Sequence, residues 1–228
     1  MTATRASSSR LAFRGLLIVA VIGLMAACGD RGESQAPARS ATEGARKEDP
    51  AARCSVAVGR LSKNDTELFT QAGTADVAKV KQAIAAGGNV NVDDSLKRTP
   101  LFAAAFCNHP AVAKLLIDEG SDVNARDFLG MSPLHAAIVV GGAAVADELI
   151  TKGADMNVQT PSGFTPLHLA VATNQLAMVE LLMERGADSQ LPNKEGITAP
   201  ALASKYGDPA IVAMIEKWEE KRKAAKED

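Results

Sequence analysis

The chain has 228 residues, of which 46% are hydrophobic and 23% charged, a globular composition rather than that of a disordered chain. Aromatics make up 4%, with one Trp and one Tyr, which argues against an aromatic-lined cofactor pocket, a carbohydrate platform or a base-stacking surface. Lys and Arg number 25 against 27 Asp and Glu, so no basic surplus exists to neutralise phosphates and no nucleic-acid partner is expected.

Residues 1–27 read as a signal peptide. Arg5, Arg10 and Arg14 form a basic start, and an apolar run follows from Leu16 to Met25. That run is short for a membrane-spanning helix, which needs about 20 apolar residues. Small residues Ala26 and Ala27 then precede Cys28. The string Leu24-Met25-Ala26-Ala27-Cys28 resembles a bacterial lipobox, with Met25 where Leu is usual. The resemblance implies that Cys28 is lipidated and becomes the first mature residue. A multiply acylated Cys anchors firmly, since each buried methylene contributes about 0.8 kcal/mol. An ordinary cleaved signal and an uncleaved anchor are the other readings of the same residues. Cleavage before Cys28 would remove three Arg and no acidic residue, taking the net charge from −2 to −5.

Residues 28–53 are rich in Ala, Ser, Gly, Glu, Pro and Arg and have no apolar period. They read as a disordered tether.

A repeat fills residues 54–218. Thr99-Pro100-Leu101, Ser132-Pro133-Leu134-His135 and Thr165-Pro166-Leu167-His168 recur at a step of 33 residues. Gly87, Gly120, Gly153 and Gly186 keep that step, as do Asn91, Asn124 and Asn157. Thr99, Ser132 and Thr165 are placed to cap a helix whose first turn holds Pro. A second helix in each unit carries larger apolar residues at helical spacing, such as Val112, Leu115 and Leu116. The glycines are placed to end it in a left-handed conformation.

This pattern resembles the ankyrin repeat. The resemblance implies an all-α solenoid of about five helix-turn-helix units with short hairpin fingers. The units run at about 62–93, 94–126, 127–159, 160–192 and 193–218, with degenerate first and last members. Residues 219–228 read as a charged, solvated C-terminal tail.

No catalytic or metal constellation is legible. The resemblance gives His135, His168 and His109 structural places in and between units. No His-x-x-x-His or Cys-x-x-Cys pair and no phosphate-binding Gly-Lys loop occurs. The chain is therefore expected not to be an enzyme and to take no cofactor or metal. Of three cysteines, Cys28 is assigned to lipid; Cys54 and Cys107 either pair as a disulfide or stand as separate thiols.

The resemblance also implies a protein-binding surface at the finger tips and the concave ends of the first helices. At the tips this selects Leu96, Arg98, Phe128, Leu129, Met131 and Phe164. On the helices it selects Val139, Val140 and Thr173. Phe128, Leu129, Met131 and Phe164 would form an apolar ridge on neighbouring fingers. The other reading folds some of them down onto the stack, Met131 and Phe164 first. The function expected is a lipid-anchored, non-catalytic binding module in the bacterial envelope, facing the periplasm. It would hold, protect or inhibit another exported protein. The alternatives are an accessory subunit of a periplasmic enzyme and an immunity-type inhibitor of a secreted toxin.

Overall fold

The computed structural model describes residues 61–206 and 208–227. The signal segment, Cys28, the tether and Cys54 lie outside the described residues. Within them are ten helices and no strand. The inner row is α1 (Lys63–Ala72), α3 (Pro100–Phe106), α5 (Pro133–Val139), α7 (Pro166–Ala172) and α9 (Ala199–Tyr206). The outer row is α2 (Val77–Ala85), α4 (Pro110–Asp118), α6 (Ala143–Thr151), α8 (Leu176–Arg185) and α10 (Pro209–Glu227). Each inner helix packs on its outer partner and on the inner helices before and after it, and the outer row stacks likewise. This is the expected solenoid of helical hairpins.

The helix starts are built as the sequence implies. Thr99, Ser132 and Thr165 have extended backbones, and each side-chain oxygen accepts from the N–H three residues on. Such a cap stabilises a helix by about 1 kcal/mol over Ala. Pro follows at the first helical position, where its missing N–H costs nothing. The outer helices end at Gly87, Gly120, Gly153 and Gly186, with φ between 89° and 97°. A side chain there would be strained, so the glycine sets the turn toward the next finger.

The core repeats with the chain. Leu68, Leu101, Leu134 and Leu167 are buried in the inner row, and Ala83, Leu116, Leu149, Leu182 and Ile215 in the outer row. Both sets recur every 33 residues. Burying each Leu contributes roughly 1.5–3 kcal/mol, but only because the neighbouring unit covers it. Ala104, Ala137 and Ala170 are fully buried between inner helices and allow their close approach.

Between units, polar side chains act as staples. The Asn91 amide donates to Gly120 O at 3.0 Å and its oxygen accepts from Asp122 N at 2.8 Å. Asn124 does the same to Gly153 O and Asp155 N at 3.3 and 2.8 Å. Asn157 accepts from Asp188 N at 2.8 Å. In the fold each asparagine thus holds the turn of the following unit.

The C-terminal boundary shifts. Helix α10 runs to Glu227 without a break at Trp218. Arg222 donates to Ala187 O at 2.9 Å and Met183 O at 3.3 Å, so its guanidinium covers carbonyls where α8 ends. Ser189 Oγ donates to Glu219 at 3.0 Å. Residues 219 and 222 thus belong to the packed end unit rather than to a solvated tail. No helix of the described residues is long and apolar enough to cross a membrane.

Candidate functional site: the finger edge and concave face

Each finger is closed by one short polar side chain. Asp94 Oδ1 accepts from the backbone N–H groups of Leu96 and Arg98 at 2.8 and 2.9 Å. Asp127 Oδ1 accepts from Leu129 and Met131 at 2.9 and 2.8 Å, and Asn193 from Glu195 and Ile197 at 2.9 Å each. Thr160 Oγ1 accepts from Phe164 N at 3.1 Å. These four residues share the 33-residue step. Their short side chains mimic a backbone turn, a signal that the sequence reading passed over.

Neighbouring fingers are tied by their main chains. The Phe128 N–H donates to Leu96 O at 3.0 Å and the Lys194 N–H to Ser162 O at 3.1 Å. The position between them in the repeat is Pro161, which has no N–H to give. There the Arg126 guanidinium spans the gap instead, donating to Gln159 O and to Gly130 O.

Two buried histidines join fingers to helices. His135 Nδ1 accepts from Ser132 N–H at 3.2 Å, and its Nε2 donates to Phe164 O of the next finger at 3.3 Å. His168 repeats this with Thr165 N–H at 3.3 Å and Ile197 O at 3.0 Å. Burial pushes the His135 imidazole down from 6.5 to about 4, and that of His168 down as well. Both rings are therefore neutral at pH 7, with the proton on Nε2. His109 lies between the helices of its unit, its Nε2 3.1 Å from Gly73 O in the unit before. Gln175 holds that repeat position two units on, donating to Ile138 O at 2.7 Å. Asp127 shifts in the opposite direction. Its Oδ2 is buried without a hydrogen-bond partner, and desolvation raises its carboxyl above the ordinary range.

The residues selected from sequence separate on this scaffold. Phe128 is 48% exposed at its finger tip and Val140 38% exposed at the end of α5. Leu96, Leu129, Val139 and Phe164 are half-buried. The Phe164 ring stands edge-on to His168, with centroids 5.9 Å apart. Met131 is corrected: at 4% exposure it is part of the core and has no surface to offer a partner. Its backbone enters helix α5 directly, so its side chain turns under the finger. Arg98 is held by its own finger, its Nε and Nη2 donating to Asp94 Oδ2 at 2.9 and 2.6 Å. Thr173 spends its hydroxyl on Leu169 O at 2.7 Å. Cys107 closes α3 and is disulfide-bonded; Cys54, its expected partner, lies outside the described residues.

At the C-terminal end of the concave face lies a groove of about 420 Å³ between the last two fingers and helices α7 and α9. No group of three or more His, Cys, Asp or Glu among the described residues could hold a metal ion.

Stacked helical hairpins with a hydrogen-bonded finger edge and an open concave side define a repeat scaffold. The family model described as ankyrin repeats, built of three copies, matches residues 68–160 and again 134–220, and the chain belongs to that family. No curated protein matches the chain. Ankyrin repeats are generally protein-interaction modules, and their proteins are typically non-catalytic binding scaffolds.

Proposed function

We propose that this protein is a lipid-anchored, non-catalytic binding module of the bacterial cell envelope. It holds, protects or inhibits another exported protein. The observation that carries the reading is the fixed exposure of Phe128. Its main chain is tied to the neighbouring finger while nearly half of its side chain faces water. An apolar side chain presented on a rigid edge suits the buried centre of a protein interface. In the same unit Val140 is exposed and Val139 and Leu129 are half-buried. Envelope location rests on the lipobox-like string at Cys28, which would fasten the scaffold by its N-terminal tether, facing the periplasm.

The test is capture of partners from detergent-solubilised envelope, identified by mass spectrometry. Phe128→Asp should weaken capture at least tenfold and shift melting by less than the equivalent of about 0.5 kcal/mol, as for other surface changes. If Phe128→Asp instead unfolds the protein, Phe128 belongs to the core and the reading fails.

The reading includes a Cys54–Cys107 disulfide that clamps the chain before the first unit onto α3. An oxidising compartment would sustain it. In the chain-entropy account a loop of this length contributes about 4 kcal/mol. Alkylation under denaturing conditions should add mass to Cys54 and Cys107 only after reduction. Equal labelling with and without reductant would reject the clamp.

A further inference from the structure

We propose that the groove at the C-terminal end of the concave face receives one large apolar side chain of an extended partner segment that carries carboxylates beside that side chain. The inference rests on the protein-binding reading of this face and specifies its partner. The groove is lined by Phe164, Val171, Ile197 and Leu202, with Tyr206 at its edge. Its volume of about 420 Å³ falls in the range of sites that enclose a ligand group.

The charge around it is distinctive. Lys194 and Lys205 both line the groove, against one acidic lining residue, Glu195. Neither lysine is in an ion pair among the described residues; the Lys205 ammonium sits 4.9 Å from the centre of the Tyr206 ring. Several cations of the outer helices are paired. There Lys114 pairs with Asp118 and Glu148, Lys152 with Asp118, and Arg185 with Asp147. The groove therefore sets two ammonium groups, that of Lys205 hydrogen-bonded to Tyr206, against one carboxylate beside an apolar floor, on a chain whose net charge is −2. An anionic group next to an apolar anchor complements both features.

A continuous chain suits the site better than a free small molecule. Tyr206 ends α9 at the repeat position held by Thr173 after α7, Val140 after α5 and Cys107 after α3. The groove thus opens onto a row of inner-helix ends, along which a segment can continue from the seated side chain.

The experiment titrates the full-length, methyl-labelled protein with three capped peptides and with hexanoate, read by NMR. The first peptide has phenylalanine followed by two aspartates, the second alanine in place of phenylalanine, and the third lysines in place of the aspartates. The first alone should move the methyl signals of Val171, Ile197 and Leu202. Lys194→Glu with Lys205→Glu, both at exposed positions, should weaken that binding about tenfold. Equal binding of the lysine peptide, shifts confined to other units, or silence with every peptide would overturn the proposal. Hexanoate moving these methyls as much as the first peptide would assign the groove to small anions and also overturn it. Silence here with partner capture still dependent on Phe128 would sink the groove and spare the function. Shifts here with no capture would do the reverse.

Discussion

Acidification from pH 7 to 4 should remove about 3 kcal/mol of stability through His135 alone. Its imidazole is fully buried and titrates at about 4 in the fold, against an ordinary value of 6.5. Between those values the unfolded chain binds the proton and the folded chain does not. Stability therefore rises with pH through this window and falls as pH drops through it. The geometry gives the reason. Nδ1 already accepts the Ser132 N–H at 3.2 Å, so a second ring proton would face a donor. His168 adds to the effect in the same direction. Urea unfolding at pH 7 and 4.5 checks this, with His135→Gln as the comparison. The variant should be less stable at pH 7 and show a flatter dependence. An identical slope in both proteins would mean that other groups govern the acid response. Asp127 opposes the trend: its raised carboxyl pKa favours the fold at low pH and loses that contribution as pH rises through the folded value.

Gly163→Ala should cost about 3 kcal/mol, while Gly196→Ala should cost about 1. Both glycines occupy one position of the finger, with φ of 81° and 75°. A Cβ on Gly163 would lie 2.7 Å from both Asn193 Cα and Lys194 N, backbone atoms of the next finger that cannot rotate away. A Cβ on Gly196 would meet nothing within 4 Å, since no further finger stacks on it among the described residues. The difference between the two variants thus measures backbone-to-backbone packing of fingers, separated from the shared cost of left-handed backbone. Thermal unfolding of both gives the number; equal losses would show that the fingers do not press on one another. Lys97 occupies the same position in the second unit with φ of 56°. A side chain thus stands there where the later units have Gly130, Gly163 and Gly196.

These contrasts explain what the sequence could reveal. Local chemistry was legible: Thr99-Pro100 and Ser132-Pro133 start helices because capping and a fixed φ act within four residues. Gly120 and Gly153 end them for the same local reason. What depended on stacking was not legible. Asn124 meets Gly153 O and Asp155 N only after two units are laid side by side, 29 and 31 residues apart in the chain. Arg222 reaches Met183 and Ala187 only once α10 lies on α8, so its charge run reads as a solvated end. The site divides in the same way. Phe128 stood out as an apolar residue at a polar place and is exposed. Met131, three residues on, has similar hydropathy but is carried beneath the finger by the start of α5. The end groove has no linear signature, because Phe164, Ile197 and Tyr206 come from different elements and converge only in the stack.

The most direct measurement compares three full-length proteins in capture from solubilised envelope: the natural chain, Phe128→Asp and Glu184→Lys. Position 184 is exposed on outer helix α8, away from the fingers. The natural chain and Glu184→Lys should retain the same exported protein, and Phe128→Asp should lose it while melting at an unchanged temperature. Equal retention by all three, or loss through Glu184→Lys alone, would contradict a scaffold that grips its partner by the finger edge.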